Sequence, residues 1–389
     1  MAWSESRQLG ERLTAVVDFC KSIRPHWKLG SSYDGWVQAL AREEPRILPR
    51  VIGRLRQAMQ ALKQRRPPER WQAVAVDGTT VVCPRTVANQ QAMGDKGQPD
   101  GMPLATLTVL FDLQLGLPWA FRVGPGNDSE RAHLVDMLDE LSMLLVADAG
   151  FIGYALCRQL IERKKHFLLR VAGNAHLLGE LGCAHEIQGQ TVYLWPGEQQ
   201  KQHQPALQLR LIVVGQEGPS PLYLVTDVLD PEALSDQEAA EFYRQRWGEE
   251  VFYRTAKQTF EFHHLRSRTP ENCYQELTWA VIGVWLLGLL TMDALQDAGH
   301  APNDWSPAAS RTVVRRVLRG QRPARKPRCN LRQALRRCVK DRYVRRGPKA
   351  ARSYPRKKRH EPPGPPKIKM ANTRQIRQAK QLTPLRAAA

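Results

Sequence analysis

The sequence predicts an α/β fold: a mixed sheet with helices on its faces, preceded by a helical region and followed by a basic tail. Three observations carry this expectation. From Gln72 the apolar period turns from helical to strand-like, with runs at 72–82, 103–114 and 117–124 rich in Val, Thr, Leu and Phe. A short Leu-Gly turn joins the last two runs, as in an antiparallel meander. Helical and strand-like segments then alternate to residue 173, and short strands return between 174 and 228.

Taken in order, residues 1–68 read as helices at 11–23, 35–44 and 48–66, with apolar residues at helical spacing. The segment RRPPERW ends this region, because paired prolines cannot continue a helix. After the meander come a helix in SERAHLVDMLDELSM, a short buried strand in LLVADAG, a helix at 153–164 and the strand HFLLRVAG. The β-rich stretch contains TVYLWPG, LQLRLIVVG and LYLVTDV. A closing helix opens on the capping box Ser235…Glu238 and is expected to run to about Thr259, with Gly248 able to loosen it or admit DNA closely. The apolar stretch 277–295 is long enough to span a bilayer. Its polar flanks and the lack of a second span favour a buried core helix, and no membrane partner is expected. The expected division is 1–68, then 69–173 with 229–300 as the core, 174–228 as a β insertion, and 301–389 as the tail.

Charge is distributed unevenly. The net charge is +20, yet residues 311–389 hold 27 Lys and Arg against Asp341 and Glu361, and the rest holds 31 basic and 36 acidic residues. A run so poor in acids suits a polyanion, since each cation near a phosphate releases condensed counterions. With PPGPP at 362–366, the tail reads as disordered, or ordered only on nucleic acid. The cysteines (Cys20, Cys83, Cys157, Cys183, Cys273, Cys329 and Cys338) are odd in number and widely spaced, which argues against a disulfide framework or a zinc knuckle. A reducing compartment fits, and the first residues lack the apolar core of a signal peptide, so a cytoplasmic location is expected.

Three acids stand out. Asp77 lies inside the apolar strand run VAVDGTT and Asp148 ends the apolar run of LLVADAGF. A carboxylate in such a setting is costly unless it is paired or binds a metal. The third, Glu250, lies on the closing helix, where Tyr243, Arg246, Glu250 and Lys257 fall in one narrow sector at 100° per residue, flanked by Trp247 and Arg254. Three carboxylates suit a pair of Mg²⁺ ions acting on a phosphodiester. Glu249 offers the same chemistry but points about 100° away from Glu250. His263 and His264 lack a third ligand for zinc. Each acid also has a structural reading: turn residue for Asp77, strand-end cap for Asp148, and partner of Arg246 or Arg254 for Glu250.

The spacing Tyr243, Arg246, Glu250, Lys257 resembles the helix signature of DDE transposases of the insertion-sequence-four family. Asp77-Gly78-Thr79 and Asp148, Gly150, Phe151 resemble that family's two aspartate motifs, and the likeness covers about residues 70–295. It departs at Ala149, where the family often has Arg, a loss Arg170 could supply, and at Gly248-Glu249 before the glutamate. The resemblance implies a ribonuclease-H-like core with a β insertion before the last catalytic helix, and an N-terminal DNA-binding region. It implies catalysis by Asp77, Asp148 and Glu250 with two Mg²⁺ ions, for which Mn²⁺ can substitute. Implied phosphate contacts come from Arg246 and Lys257 with Tyr243 in support, and Arg254 counts with them as a DNA contact. Trp247 and Trp195 are candidates for holding a base. The implied activity is cut-and-paste transposition through hairpin ends, on double-stranded DNA that carries terminal inverted repeats or serves as target, by a homodimer in the synaptic complex. Two rivals remain: a domesticated DNA-binding protein, and a nuclease of the same fold without strand transfer.

Overall fold

The computed structural model describes residues 8–28, 30, 32–95, 97, 101–141, 144–181, 190–215, 221–318, 330–341 and 364–386. The chain divides into two compact units. One comprises Met1–Arg70, Gly78–Glu130 and Glu249–Arg342, and the other Trp71–Asp77, Arg131–Gly248 and Tyr343–Ala389.

The first unit begins with α1 (Leu9–Ile23) and α2 (Tyr33–Gln64), the latter capped by Ser32, whose side chain accepts from Gly35 N. Here the structure corrects the expected separate helices at 35–44 and 48–66: α2 continues through Pro45 and Pro49. Both prolines are exposed, and the apolar stripe keeps its period through Leu55, Met59 and Leu62, which are buried. Packing of that stripe on the apolar helix α9 (Pro270–Asp297) outweighs the local cost of proline, as tertiary contacts commonly do. Trp285 donates to Met59 Sδ at 3.2 Å, and Trp279 donates to Glu44 at 3.2 Å. By length and composition α9 could cross a membrane, but 72% of its apolar window is buried. Thr269 caps it and Pro270 occupies its first turn, where a missing N–H costs nothing.

Strand β1 (Ala73–Val82) runs through both units. In the first unit its far half neighbours β2 (Leu104–Asp112), which pairs antiparallel with β3 (Leu117–Pro125); α3 (Val87–Met93) connects β1 to β2. The turn after β2 is built by Asp112, which accepts from Leu115 N at 2.9 Å, with Gly116 at φ 68° supplying the left-handed residue. Asp112 is fully buried and forms an ion pair with Lys63 of α2. Burial pushes this carboxyl up, and Lys63 pulls it back. The unit is completed by α8 (Trp247–Arg254, its last residues), a π-helical turn at Thr255–Thr259, α9, α10 (Pro307–Leu318) and α11 (Leu331–Leu335).

In the second unit the near half of β1 pairs in parallel with β4 (Leu144–Ala147), and β4 in parallel with β5 (Phe167–Val171). Helices α4 (Glu130–Val135) and α5 (Tyr154–Glu162) flank β4 in sequence. Val74, Ala75, Val76 and all of β4 are buried, and each Val or Leu so buried contributes roughly 1.5–3 kcal/mol. The first unit thus carries the far half of β1 with the antiparallel pair β2 and β3, and the second the parallel run β1-β4-β5, the strand set expected of a ribonuclease-H-like mixed sheet. The insertion adds β6 (His176–Gly179), β7 (Thr191–Leu194), α6 (Gly197–Lys201), β8 (Leu207–Val214) and β9 (Leu222–Thr226). Strand β9 returns antiparallel against β5, and α7 (Asp236–Gln245) follows with its full capping box at Ser235 and Glu238.

The tail departs from the expectation of disorder where it is described. Besides α10 and α11, β10 (Lys367–Met370) adds in parallel to β6, and α12 (Thr373–Gln381) is capped by Asn372. Strand pairing needs only backbone groups, so a lysine-rich segment can order on a sheet edge despite its charge. Residues 319–329 and 342–363, with Pro362 and Pro363 of the proline-rich run, lie outside the described residues.

Candidate active site

The second unit brings two of the three acids together through backbone register. Val76 of β1 pairs with Ala147 of β4, so the next residues, Asp77 and Asp148, occupy matching positions on parallel neighbours. Adjacent strands lie about 4.8 Å apart and side chains alternate between faces, so both carboxylates fall on one face, Asp77 within β1 and Asp148 just past the end of β4. Both residues are half-buried.

Asp148 is held from several sides. Its Oδ1 accepts from Ala149 N at 2.8 Å and from the Tyr243 hydroxyl at 3.1 Å. Arg170 Nη1 lies 3.5 Å from Oδ1, and Arg246 Nη2 lies 4.0 Å from Oδ2. The Arg246 guanidinium also covers the Tyr243 ring at 5.3 Å and is nearly buried. Burial, with the Asp148 carboxylate in reach, pushes the Tyr243 phenol up to about 12, so it remains a hydrogen-bond donor throughout the physiological range. Arg170 thus occupies the place the sequence suggested for a cation missing at Ala149.

Arg131 was not legible as a site residue. Its Nε donates to Gly150 O at 2.7 Å and its Nη2 to Ile152 O at 2.9 Å, fastening the loop just after Asp148. It carries no motif, since what it recognises is backbone.

The first unit holds the partners of the other motif residues. Lys257 Nζ donates to Thr79 Oγ1 at 2.6 Å, and Thr79 lies two residues along β1 from Asp77 and so on the same face. The Glu130 side chain lies over Gly78: a Cβ there would lie 2.2 Å from Glu130 Cδ, so that side chain would have to move to admit one. Glu250 is half-buried on α8, which is seated by buried Phe252 and Tyr253, with Phe252 5.6 Å from Phe111. Arg254 is exposed, as is Trp247 at 58%, which leaves an indole face available for stacking.

One expectation is refined and one corrected. The closing helix extends to Thr259 as expected, but as α7 to Gln245, a single residue, Arg246, whose backbone stays helical at φ −50° and ψ −33°, then α8, and a last turn that widens to π-helical form around Lys257. Gly248 favours this interruption, having neither side chain nor helix preference to hold the backbone. Of the four signature residues, Tyr243 and Arg246 attend Asp148, while Lys257 donates to Thr79. Trp195 is 2% exposed and its indole N–H is spent on Gln204 O at 2.8 Å, so it is a core residue and presents no face to a base. The side chain of Glu249 lies outside the described residues.

Among the described residues, no three His, Cys, Asp or Glu side chains stand close enough to hold a metal ion. Asp77 and Asp148 still fit a hard divalent cation, since they offer carboxylate oxygens on one face of neighbouring parallel strands. In the form described, arginines supply the positive charge around Asp148.

Residues 71–286, more than half of the chain, match the family model described as Transposase DDE domain. A curated relative, transposase InsG for insertion sequence element IS4 of Escherichia coli strain K12, is 26% identical over 274 residues, which span 65% of this chain and 61% of that protein. A structural search matches the piggyBac transposase synaptic complex with hairpin DNA at a TM-score of 0.40 and 10% identity, covering 88% of this chain and 78% of that one. On the extent of the family match, spanning both aspartate motifs and the signature helices, the chain belongs to the transposase DDE domain family.

Proposed function

We propose that this chain is a cytoplasmic transposase that excises and inserts an insertion sequence by DNA cleavage, through hairpin ends, and strand transfer. The observation that carries the reading is the register of β1 against β4, which sets Asp77 and Asp148 side by side with Tyr243, Arg170 and Arg246 around Asp148. Asp77, Asp148 and Glu250 are the three catalytic acids and would hold two Mg²⁺ ions, or Mn²⁺ in their place. Bound there, the ions would activate the attacking oxygen and stabilise the leaving one.

The chain's own residues have separable tasks. Tyr243 donates to the Asp148 carboxylate and orients it. Arg246 and Arg170, already beside a carboxylate, are placed to attract a phosphate to the same face. Lys257, positioned by Thr79, supplies a further cation along the β1 edge, and Arg254 offers another from the exposed side of α8. Trp247 offers its exposed ring to an unstacked base. The substrates are duplex DNA bearing terminal inverted repeats and a duplex target, acted on by a homodimer. The N-terminal helices (1–68) serve DNA binding, 69–173 with 229–300 catalysis, 174–228 forms the β insertion, and 301–389 extends the DNA-binding surface.

The test incubates the full chain with Mg²⁺ and a duplex carrying two element ends. Hairpin-ended products are expected from the wild type, and none from Glu250→Gln. Absence of cleavage with both Mg²⁺ and Mn²⁺, or equal cutting by Glu250→Gln, defeats the reading.

A further inference from the structure

Arg131 differs from the other arginines of the site in what it holds. Arg170 and Arg246 approach the Asp148 carboxylate itself, whereas Arg131 grips the backbone that follows it. Its Nε and Nη2 both donate to Gly150 O, the former at 2.7 Å, and Nη2 donates again to Ile152 O at 2.9 Å. A planar guanidinium, with its N–H groups in a fixed fork, can bridge two carbonyls in this way. A lysine ammonium is a compact charge on a flexible stem and cannot hold the same geometry.

The gripped segment is the turn that carries Asp148 out of the sheet. Strand β4 ends at Ala147 and α5 begins at Tyr154, so Asp148 stands just outside the β4 pairing. Phe151 N donates to Asp148 O at 2.9 Å, closing a turn over Ala149 and Gly150. Phe151 and Ile152 are buried and fix the far side of this turn. Its tip is different: Gly150 is exposed, and apart from its chain neighbours no heavy atom lies within 4 Å of where its Cβ would stand. Packing therefore does not fix the tip, and the hydrogen bonds from Arg131 to Gly150 O tie it to α4. That helix is itself seated by Leu134, which is fully buried.

The tip reaches the carboxylate through one peptide unit. Ala149 N donates to Asp148 Oδ1 at 2.8 Å, so a rotation of the turn at Gly150 swings the N–H that aims the carboxylate. Mg²⁺ tolerates little of this, because it demands near-ideal octahedral geometry at about 2.0–2.1 Å. We propose that Arg131 is a positioning residue for divalent-metal binding at Asp148, acting through the Gly150 and Ile152 carbonyls rather than by contact with the ion. The inference rests on the reading that Asp148 holds a metal ion, and adds to it a residue outside the family motifs.

The test measures Mn²⁺ binding to the full chain without DNA, from the electron paramagnetic resonance signal of the free ion, for the wild type, Arg131→Ala and Arg131→Lys. Partners that orient metal ligands are typically worth about 10–100-fold in metal affinity, and both variants are expected to raise Kd by about that factor. Arg131 is exposed, so free guanidinium ion can enter the gap left in Arg131→Ala. Guanidinium chloride well below denaturing concentration is expected to recover most of the lost affinity, and equal NaCl none. Urea unfolding of each variant checks that the chain remains folded. Arg131→Ala that binds Mn²⁺ within about threefold of the wild type overturns the inference and leaves the catalytic reading intact. Arg131→Lys with wild-type affinity shows that charge suffices without the fork, and overturns it as well. A weakened Arg131→Ala that guanidinium ion does not restore overturns the clamp in favour of a general folding defect. A wild type that binds no Mn²⁺ overturns the inference together with the metal reading.

Discussion

Asp148→Asn offers the sharpest test of how the site is held together. Two opposing interactions change when the charge is removed. Asp77, on the neighbouring strand, would repel Asp148 by about 0.9 kcal/mol at the dielectric of water for charges separated by the usual strand spacing of about 4.8 Å. Arg170 at 3.5 Å and Arg246 at 4.0 Å attract it by about 1.2 and 1.0 kcal/mol on the same scale. Asp148 is 43% exposed, which keeps its interactions near these screened values, but the Arg246 side chain is only 7% exposed, which raises that term. Attraction wins, and Asp148→Asn is expected to destabilise the protein by about 1–2 kcal/mol in EDTA. The assay is urea unfolding followed by tryptophan fluorescence, with and without Mg²⁺. In Mg²⁺ at a hundredfold excess over Kd the wild type should gain about 2.7 kcal/mol and the variant far less. A variant equally or more stable than wild type in EDTA would show that repulsion between the acids dominates, and would refute the stabilising role of Arg170 and Arg246.

Two further predictions concern the scaffold. Lys63→Met leaves Asp112 charged and buried, so it should cost about 3–5 kcal/mol in a urea titration, while Lys63→Met/Asp112→Asn should recover most of that because Asn still accepts from Leu115 N. His166 Nδ1 lies 2.8 Å from buried Asp227, and this hydrogen bond raises the imidazole pKa above its ordinary value. A raised folded-state pKa gives stability that is complete below about 6.5 and lost as pH rises through the folded value. The urea midpoint should therefore fall between about pH 6 and 8, and His166→Asn should flatten that dependence.

Much of the core was legible because it rests on local pattern. The strand runs, the buried character of α9 and the capping box at Ser235 depend on residue type and period, which sequence carries directly. The boundaries it missed are those where distant packing outweighs local preference. Pro45 and Pro49 suggested a break, but the stripe ending in Leu55, Met59 and Leu62 had a partner in α9 that no local window contains. Ideal helical phase likewise predicted one stripe from Tyr243 to Lys257. The π-helical turn at Thr255–Thr259 departs from that phase at Lys257, whose ammonium donates to Thr79, while Tyr243 donates to Asp148.

Residue identity and spacing alone determined the family motifs and the candidate acids, since that chemistry needs particular side chains at particular intervals. Only the tertiary structure decided that Asp77 and Asp148 share a register, that Arg170 and Arg131 attend the second motif, and that Trp195 is spent in the core. Those outcomes depend on which backbones pair and which polar atoms find partners across long stretches of chain, and neither is written in any short segment.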